Sequence, residues 1–525
     1  MSDDMNQAVA AALAPMQTTL AQLFALAQQL PPAADVAAAH DGSAASAVVN
    51  AAAASAQIAQ WRLHGDVADT AINGIATDSR KVQAGDLFIA LRGDNFDAHD
   101  FLDQVSHASA LVVSRVPDNC SLPYILVPDT RLALGQLGRA WRAQFDLPLI
   151  GVTGSNGKTT VKEMIAAILA TNFGAAQRLA TRGNLNNDIG VPLTLLSLRA
   201  GQRAGVVELG MNHPGEIAYL ASLAQPTVAL INNAQREHLE FMQDVATVAQ
   251  ENGSVISSLG AGGTAVFPAD EEFTPVWRNL ARQNGCKVLT FGVGAAAGAA
   301  AAAADAADVS CDYRATDFGN QLRVSLKMGA SVRMFPLKLA LAGVHNVRNA
   351  LAAIACTVAL GIDILVIARA LEAFEPVGGR LQRKTAFNGA VLIDDTYNAN
   401  PDSVRAAIAV LAQTPAPRML VLGDMGEVGD QGPQFHQEVG QFALQQGIDQ
   451  VFCLGALTSH TVAAFGPRAQ HFGQLADLLQ ALEQHISPQA TVLVKGSRFM
   501  KMERVVLHLQ KPQLPSPDPQ LQGIH

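Results

Sequence analysis

One glycine-rich segment of the chain, residues 147–170, combines residue types and spacing that suit phosphate chemistry. An apolar run at 147–152 predicts a short buried strand, and apolar side chains at helical spacing after residue 160 predict a helix. The loop between them offers glycines, a lysine and hydroxyl groups: Gly151, Gly154, Ser155, Asn156, Gly157, Lys158, Thr159 and Thr160. Glycines let backbone N–H groups approach phosphate oxygens, lysine adds positive charge, and a threonine hydroxyl can hold Mg²⁺. The segment therefore indicates a nucleoside triphosphate site.

The match to the commonest phosphate-loop pattern is imperfect. That pattern requires glycine at position 152, where the chain has Val152, and the glycine lies one place earlier at Gly151. A plain glycine turn between a strand and a helix is the alternative interpretation. The Lys-Thr-Thr ending favours the phosphate site, because packing gives no reason for it. The loop alone does not identify a reaction.

Composition excludes several other classes of protein. The 525 residues carry a net charge of −9 and show no basic stripe, so nucleic acid is not expected as a partner. The 5 cysteines lie far apart and form no CxxC pair, which argues against a disulfide framework or a zinc site. The first residues are acidic, unlike a signal peptide, and no uncharged apolar run is long enough to span a bilayer. We therefore expect a cytoplasmic enzyme without membrane insertion.

Predicted strands and helices, which must position the loop, alternate along most of the chain. Strand-like runs and helical patterns follow one another in two long stretches, which predicts an α/β fold with largely parallel sheets. We expect an N-terminal substrate domain, a central ATPase-like domain and a doubly wound, Rossmann-like C-terminal domain, between a helical or disordered Ala-rich extension and a short tail. The predicted bounds, in that order, are 46–146, 147–376 and 377–512, with 1–45 and 513–525 as extension and tail. An Ala-Gly run at 294–307 is predicted to be a surface insertion.

Polar side chains recur where the predicted strands end. Glu208 and the asparagines at 232–233 follow strands of the second domain, with His238 shortly after; Asp394, Asp395, Asp424 and Lys495 follow strands of the third. In open parallel sheets, ligands bind beyond the carboxyl ends of strands. One such acid could equally be a helix cap, but the repetition predicts two sheets facing one cleft. Glu208 and His238 are plausible Mg²⁺ ligands there, although histidine is an unusual ligand for this ion.

Several longer runs resemble the Mur ligases, the ATP-dependent amide-forming enzymes of peptidoglycan synthesis. They are GVTGSNGKTT at 151–160, ELGMNHPGEI at 208–217, NNAQREHLE at 232–240, GVHNVRNALAA at 343–353, GGRLQ at 378–382, DDTYNANPDS at 394–403 and LGDMGEVG at 422–429. The glycine loop is shared across the family, whereas DDTYNANP, TDSRKVQAGDLFIALRG near residue 77, TRGNLNNDIGVPLTLL at 181–196 and KGSRFMKME at 495–503 are more specific. The resemblance covers about residues 46–510.

The resemblance implies a reaction and its substrates. One domain would bind a UDP-N-acetylmuramoyl-tripeptide, one would bind ATP with Mg²⁺, and the C-terminal domain would help to close the site. The tripeptide carboxylate would attack the γ-phosphate of ATP, and the amine of D-alanyl-D-alanine would then attack the acyl phosphate. A carboxylate is a poor acyl donor, so phosphorylation supplies its leaving group.

The resemblance also implies roles for individual residues. Catalytic roles fall to Lys158, Glu208, His238, Arg380 and Asp395, and metal ligation to Thr159, Glu208 and His238. ATP would contact residues 154–160 together with Asn346 and Asn349 near the adenine and Arg380 and Asp395 near the phosphate and ribose. Substrate binding is implied for Ser79, Arg80, Asn184, Asn187, Asn398, Asp424 and Lys495. Ser79 and Arg80 would lie near the UDP group, and Asn187 near the phosphates.

One departure from the family pattern concerns a lysine. Many Mur ligases carry a lysine on the helix after the His-Leu segment, where its carbamate bridges two Mg²⁺ ions. Here that position holds Asn252, and no lysine occurs between Glu163 and Cys286. Either one metal site is lost or reshaped, or another group such as Glu251 substitutes. We expect Asn252 with a bridging water to be the simpler substitute.

Two rival functions are also compatible with these motifs. Another ligase of the same superfamily is one, such as a diaminopimelate- or lysine-adding Mur ligase or a folylpolyglutamate synthase; the absence of a DNPR segment counts against the diaminopimelate-adding enzyme. A nucleotide-binding regulatory module is the other, but it would have little use for polar groups of a third domain facing the nucleotide. The chain is expected to be a monomer.

Overall fold

The computed structural model describes residues 15–30, 51–93, 96–118, 120–293, 307–316 and 319–511. Several predicted features lie outside these residues: positions 1–14 and 31–45 of the extension, most of the Ala-Gly run, and the tail. Within the described ranges the chain forms sheets of 5, 9 and 6 strands, with small two-stranded ribbons beside the first. None of the described helices combines the length and apolar character needed to cross a bilayer.

The N-terminal domain is built on the five-stranded sheet in the order β2-β9-β8-β5-β4, parallel except for β2. Its strands are β1 (Thr18–Thr19), β2 (Arg62–His64), β3 (Ala71–Ile72), β4 (Gly74–Ala76), β5 (Asp86–Ile89), β6 (Arg92–Gly93), β7 (Phe96–Asp97), β8 (Ala110–Val113) and β9 (Tyr124–Leu126). Its helices are α1 (Leu20–Gln29), α2 (Ala51–Ile58) and α3 (Thr130–Arg142), with 3₁₀ turns at Ser79–Lys81 and Ala98–Val105. Helix α3 begins at a side-chain cap, because Asp129 Oδ1 accepts from the N–H groups of Arg131 and Leu132 at 2.8 and 3.1 Å.

Residues 15–30 belong to this domain's core, which corrects their assignment to an extension outside it. Met16, Leu20 and Leu23 are fully buried, and β1 pairs antiparallel with β3. The buried Gln136 of α3 donates from Nε2 to the carbonyl oxygens of Ala27 and Leu30, at 2.8 and 3.1 Å. Low-complexity, Ala-rich sequence on both sides of α1 concealed this role, because it shows no pattern of strands and helices that would join α1 to a domain.

The central domain holds the nine-stranded sheet in the order β11-β12-β10-β13-β14-β15-β16-β17-β18. Its strands are β10 (Leu149–Thr153), β11 (Arg178–Ala180), β12 (Ala204–Glu208), β13 (Val228–Ile231), β14 (Thr264–Pro268), β15 (Lys287–Val293), β16 (Val309–Thr316), β17 (Gly319–Met328) and β18 (Ser331–Leu339). Its helices are α4 (Lys158–Phe173), α5 (Gly190–Leu196), α6 (Glu216–Ala224), α7 (Leu239–Met242), α8 (Val245–Ser257), α9 (Thr274–Gln283), α10 (Val344–Ala359) and α11 (Ile364–Glu372), with a 3₁₀ turn at Ala175–Gln177. All pairings are parallel up to β16, and β16-β17-β18 continue as an antiparallel meander that we did not predict.

Alternation along β10 explains why this sheet is covered on both faces. Leu149 packs into the core shared with the N-terminal domain, whereas Ile150 and Val152 pack against α4 and α10 on the opposite face. Successive side chains of a strand point to opposite faces, so a central strand that is covered on both sides must be apolar throughout. The sandwiched sheet fixes the carboxyl end of β10, from which the glycine loop starts.

The C-terminal domain is a second doubly wound unit, with strands in the order β19-β20-β24-β21-β22-β23, parallel except for β19. Its strands are β19 (Gln382–Thr385), β20 (Val391–Asp395), β21 (Arg418–Gly423), β22 (Gln450–Leu454), β23 (Ala469–Phe472) and β24 (Thr491–Lys495). Its helices are α12 (Pro401–Ala412), α13 (Gly432–Gln445), α14 (Thr458–Phe465), α15 (Leu475–His485) and α16 (Glu503–Gln510), with 3₁₀ turns at Gly429–Gln431 and Arg498–Met500. The mixed α/β architecture with mostly parallel sheets confirms the predicted fold class.

Candidate active site

A cavity of about 1130 Å³ lies where the two doubly wound domains face each other. Its walls include the glycine loop, the carboxyl ends of β12 and β20, and α2 and α3 of the N-terminal domain. This is the edge at which open parallel sheets bind ligands. Most of the predicted site residues line the cavity: Ser155, Asn156, Gly157, Lys158, Thr159, Thr160, Asn187, Glu208, His238, Asn346, Asn349, Arg380, Asp395, Asn398 and Lys495.

Glycine is required at two positions of the loop. Gly154 and Gly157 have φ of 128° and 82°, which side chains rarely adopt. A Cβ on Gly157 would collide with Asn349 Oδ1, so helix α10 leaves no space for it. Asn233 then fixes the loop, accepting from Ser155 N at its carbonyl oxygen (3.2 Å) and from Asn156 N at Oδ1 (2.8 Å).

Lys158 lies against a carboxylate that the sequence analysis did not identify. Its Nζ donates to Glu237 Oε1 at 2.7 Å and to the carbonyl oxygens of Gly154 and Ser155 at 2.5 and 3.2 Å. Burial opposes charge on Glu237, but Lys158 and His238 outweigh it and lower the pKa of that carboxyl below its ordinary value. Glu237 thus holds the lysine at the place from which it would meet a phosphate.

Glu208 is a buried carboxylate with one oxygen occupied and one free. Its Oε1 accepts from Thr159 Oγ1 at 3.2 Å and from Asn186 Nδ2 at 2.8 Å. Its Oε2 is buried and has no hydrogen-bond partner among the described residues. A carboxylate oxygen and a hydroxyl oxygen are ligands that Mg²⁺ prefers, so Thr159 and Glu208 fit this ion. No three His, Cys, Asp or Glu side chains of the described ranges come together as a complete metal site.

His238, the other predicted metal ligand, lies between two carboxylates. Its Nε2 is 3.3 Å from Glu237 Oε1, and its Nδ1 is 2.7 Å from Glu427 Oε2 of the C-terminal domain. Burial disfavours charge on the ring, but the hydrogen bonds and charges of both partners raise the pKa of His238 to about 9. A protonated ring cannot ligate a metal, so that role would require His238 to release this proton.

The amide side chains on the nucleotide side of the loop form a chain. Asn232 Nδ2 donates to Asn349 Oδ1 at 2.9 Å, and Asn349 Nδ2 donates to Asn346 Oδ1 at 3.2 Å. Asn346 is held in turn by Ala342, whose carbonyl oxygen accepts from its Nδ2 at 2.8 Å. All three amide side chains are buried, and the chain ties α10 to the end of β13.

The C-terminal domain contributes a cation and an ion pair to the cavity. Arg380 Nη2 donates to Thr159 Oγ1 at 2.8 Å, while its guanidinium lies 4.2 Å from the ring centroid of Tyr397. Asp395 Oδ2 accepts from Lys495 Nζ at 2.6 Å, and Lys495 also donates to the carbonyl oxygen of Asn398 at 2.8 Å. The two sheets therefore meet at Thr159, on the glycine loop.

A second group of contacts joins the same two domains beside the loop. Arg236 donates to Asp402 Oδ1 and Glu438 Oε2, both at 2.7 Å. Asn400 Nδ2 donates to Asn156 Oδ1 at 2.9 Å. These side chains lie in loops and at the starts of helices, far apart in the sequence. No periodic pattern links their positions, so the sequence could not predict these contacts.

Four predicted substrate residues do not line this cavity: Ser79, Arg80, Asn184 and Asp424. Arg80 is exposed and pairs with Asp78, whose pKa it lowers, through two side-chain hydrogen bonds of 2.8 and 2.9 Å. Asn184 is exposed on the loop before α5. Asp424 is buried, and its Oδ1 accepts from Thr458 N at 2.8 Å, so it caps the start of α14.

The two residues considered as substitutes for the missing lysine also lie outside the cavity lining. Asn252 is fully buried and accepts from Thr153 Oγ1 at 2.6 Å, and its Nδ2 has no partner among the described residues. An amide N–H₂ group donates and cannot bind a cation. Glu251 Oε1 accepts from Ile217 N at 2.8 Å, at the start of α6. The expectation that Asn252 faces a metal through water therefore has no support in this geometry.

The cavity residues that the sequence analysis missed include Asn186, Arg236, Glu237 and Tyr397. Asn186 had a signal, since it lies in the same run of asparagines as Asn184 and Asn187. Glu237 had a weaker one, as an acid immediately before His238. Arg236 and Tyr397 lie in two of the runs that carry the resemblance, but neither their type nor their spacing gave them a role, because their partners come from distant parts of the chain.

Family models match both doubly wound domains. The Mur ligase middle domain matches residues 152–357, and the Mur ligase glutamate ligase domain matches residues 379–498.

Curated relatives match over most of their length. The chain is 40% identical over 448 residues to the UDP-N-acetylmuramoyl-tripeptide–D-alanyl-D-alanine ligase of Escherichia coli K12, covering 85% of this chain and 95% of the relative. It is 35% identical to the enzyme of the same name from Bacillus subtilis 168, with coverages of 84% and 93%.

Solved structures show the same architecture. MurF from Acinetobacter baumannii superposes with a TM-score of 0.77 at 35% identity, covering 85% of this chain and 95% of that one. MurF ligase from Thermotoga maritima, in complex with ADP, superposes with a TM-score of 0.72 at 26% identity, with coverages of 84% and 98%.

Proposed function

We propose that this chain, which belongs to the Mur ligase family, joins D-alanyl-D-alanine to UDP-N-acetylmuramoyl-tripeptide at the expense of ATP. The observation that carries the proposal is the meeting of two domains at the glycine loop, where Arg380 contacts Thr159 at 2.8 Å. A nucleotide-binding regulatory module has no need of this contact. The choice of substrates rests on relatives of the same printed name that match across nearly their whole length.

ATP would lie along the glycine loop. Lys158 would exchange Glu237 for a phosphate oxygen, and Arg380 would add a second cation from the opposite domain. Asn346 and Asn349 would face the adenine, with Asp395 at the ribose. Two cations placed before the reaction would stabilise charge that develops on the transferring phosphoryl group.

Magnesium is the metal that the donor set fits. Thr159 and Glu208 would hold it, with His238 as a further ligand once that ring is neutral. Bound Mg²⁺ would neutralise phosphate charge and orient the phosphates. The free Oε2 of Glu208 is the observation that supports this ion, because a buried carboxylate oxygen without a partner is costly.

The reaction would proceed in two substitutions. A carboxylate oxygen of the tripeptide would attack the γ-phosphorus, and the bond to the ADP oxygen would break, which gives an acyl phosphate and ADP. The dipeptide amine would then attack the acyl carbon, form the amide, release phosphate and lose a proton. Asn187, Asn398 and Lys495 line the cavity and would orient the substrates there. Ser79, Arg80, Asn184 and Asp424 stay predictions as substrate-binding residues.

The deciding experiment is mass spectrometry of products formed from ATP, a panel of UDP-muramoyl peptides and a panel of amines. We expect one product, the tripeptide substrate extended by D-alanyl-D-alanine, with one phosphate released per amide formed. Tripeptides with diaminopimelate or lysine as the third residue should be compared, since the sequence does not distinguish them. Extension of a UDP-muramoyl dipeptide by a single amino acid would contradict the proposal, and so would ATP hydrolysis without amide formation. A cytoplasmic location and a monomeric state stay predictions.

A further inference from the structure

Lys162 is a charged side chain in the interior of the central domain. It lies about one turn into α4, is fully buried and does not line the cavity. Its Nζ forms an ion pair with the carboxylate of Glu163 and donates to the carbonyl oxygen of Thr181 at 2.9 Å. A fully buried lysine is uncommon and needs partners, because removing its charge from water is costly. Its amino group, rather than its bulk, is therefore the feature to explain.

Thr181 connects this lysine to Glu208. It directly follows the edge strand β11, and its N–H donates to Val206 O at 3.2 Å, as the parallel ladder with β12 requires. The next N–H of β12 that faces β11 belongs to Glu208, and it donates to Thr181 Oγ1 at 2.9 Å. The hydroxyl of Thr181 thus continues the ladder, while Lys162 binds the carbonyl oxygen of the same residue.

The loop that follows Thr181 brings Asn186 to the carboxylate of Glu208. Asn186 Nδ2 donates to Glu208 Oε1 at 2.8 Å, and its carbonyl oxygen accepts from Gly210 N, also at 2.8 Å. Glu208 is thus held at its backbone by Thr181 and at its carboxylate by Asn186. Both contacts depend on where the chain leaves β11, which is the point that Lys162 fixes.

We propose that Lys162 is a positioning residue, which holds Thr181 and thereby fixes the orientation of Glu208 toward a magnesium-bound nucleotide. Groups behind a metal ligand orient it, and their loss typically weakens metal affinity by about 10–100-fold. The inference rests on the proposed binding of ATP with Mg²⁺ but not on the identity of the other substrates. It gives the buried lysine a role at a site that it does not touch.

The competing explanation is that Lys162 only stabilises the packing of α4 against β11. Under both explanations Lys162→Met should lower the thermal midpoint, because methionine removes the donor and leaves the carbonyl oxygen of Thr181 without it. The explanations differ in the part of nucleotide affinity that depends on the metal. Only a positioning role links the amino group to Glu208, so that part is the measurement that separates them.

The test is calorimetric titration of the full-length enzyme with AMP-PNP, once with excess Mg²⁺ and once with EDTA. The ratio of the two dissociation constants measures what the metal contributes to binding. We expect Lys162→Met to reduce this ratio by about tenfold or more, with the affinity in EDTA within about twofold of that of the wild type. Thr181→Val, which removes the hydroxyl, should give the same loss. The double variant should lose no more than the worse single variant, because the two residues act through one path.

The matched control is Met164→Ala, at a fully buried position of the same helix, which should lower the thermal midpoint and leave the ratio unchanged. A wild-type ratio in Lys162→Met would overturn the proposal, and so would an equal loss in Met164→Ala. If Lys162→Met does not fold, Thr181→Val decides alone, and a wild-type ratio in that variant overturns the proposal.

The titration also separates this inference from the proposed function. A wild type whose affinity does not respond to Mg²⁺ would overturn both the proposed use of this ion and the role of Lys162. A wild type that responds, with variants that respond equally, would overturn the role of Lys162 alone. Neither muramoyl peptide nor dipeptide is present, so a failed ligation assay would contradict the proposed substrates without affecting this result.

Discussion

The carboxyl ends of the two doubly wound sheets carry the same kind of residue and use it differently. In the central sheet, Glu208 ends β12 and keeps one buried oxygen free. In the C-terminal sheet, Asp395 at the end of β20 is paired with Lys495 at the end of β24, at 2.6 Å. Asp424, just after β21, accepts a hydrogen bond from Thr458 N at the start of α14.

The end of β12 keeps a carboxylate oxygen that a ligand can occupy, whereas the carboxylates at the ends of β20 and β21 are already bonded within their own domain. A polar residue after a strand is an ambiguous signal, because the same carboxylate can cap a helix, pair with a neighbour or wait for a ligand. The free oxygen decides between these uses, and no sequence pattern records it. We therefore expect substitutions in the central sheet to reduce activity at little cost in stability, and substitutions in the C-terminal sheet to reduce stability as well.

The largest effect on activity is expected from Lys158→Ala. Removing the cation that faces the phosphates should cost ~3–4 kcal/mol of transition-state stabilisation, by analogy with the loss of a single oxyanion donor. Initial rates of phosphate release with both substrates present would measure kcat. A variant that retains more than about a tenth of the wild-type kcat, a loss of only ~1.4 kcal/mol, would exclude this role. Thermal unfolding of the variant serves as the control for folding.

The next effect contrasts Asp395→Asn with Glu208→Gln. Asp395→Asn leaves the buried ammonium of Lys495 without its counter-charge, which should cost roughly 3–5 kcal/mol of unfolding free energy. Glu208→Gln removes a charge whose second oxygen has no partner, so its thermal midpoint should not fall while kcat does.

Scanning calorimetry and steady-state rates, measured on both variants, would test this contrast. A shared drop in thermal midpoint would erase the distinction between the two sheets, and so would unchanged rates in Glu208→Gln. Asp424→Ala is a useful third variant, because loss of the hydrogen bond that its carboxylate accepts from Thr458 N, at the start of α14, should cost only about 1 kcal/mol.

A smaller effect is expected at the contacts that join the sheets. Arg236→Ala removes partly exposed ion pairs to Asp402 and Glu438, worth about 1 kcal/mol, and should lower kcat/KM by roughly fivefold. The matched control is Arg405→Ala, whose guanidinium packs on Phe442 within the C-terminal domain. Equal effects of the two substitutions would argue against a role for the interdomain pairs.

Small-angle scattering tests the same junction directly. We expect the radius of gyration of the wild type to shrink when an ATP analogue and the UDP-peptide bind together, with Gly378 and Gly379 before β19 as the hinge. Arg236→Ala should shrink less under the same conditions. An unchanged profile of the wild type with both sites saturated would contradict domain closure.

The smallest expected effect is that of bicarbonate, which should be nil. By the family resemblance, Asn252 stands at the helix position where a carbamylated lysine is expected, and an amide cannot be carbamylated. Rates in CO₂-free buffer should equal those with added bicarbonate. Asn252→Ala should disturb Thr153, and through it the glycine loop, without changing the Mg²⁺ requirement. Restoration of lost activity by bicarbonate would place a carbamate on some other lysine.

The fold was predictable where local pattern and tertiary structure agree. The strand, glycine loop and helix at 147–170 follow from an apolar run, clustered glycines and helical spacing of apolar residues. The structure has β10 and α4 there, and Gly154 and Gly157 in the loop have positive φ. The antiparallel strands β16–β18 alternate apolar and polar residues, a strand signal, but they follow the Ala-Gly run, which has no such pattern and breaks the series of parallel strands.

Most residues of the site could be predicted from the sequence, but the hydrogen bonds and ion pairs between them could not. Most strand-end residues named from the sequence line the cavity, because parallel strands deliver their ends to one edge. Glu237 and Arg236 lie in an irregular segment whose partners are up to 202 residues away, so neither period nor propensity could identify them. Asp424 was included for the same reason as Asp395, and only packing tells a cap from a cavity residue.

The packing of α1 has a consequence for synthesis of the chain. The side chain that binds the end of this helix, Gln136, follows Ala27 by 109 residues. At roughly 5–20 residues per second, a ribosome needs about 5–20 s to make that stretch. During this interval the apolar face of α1, including Leu20 and Leu23, has no α3 to cover it. The nascent chain thus exposes an apolar surface until α3 has been made, and we expect a chaperone to bind there.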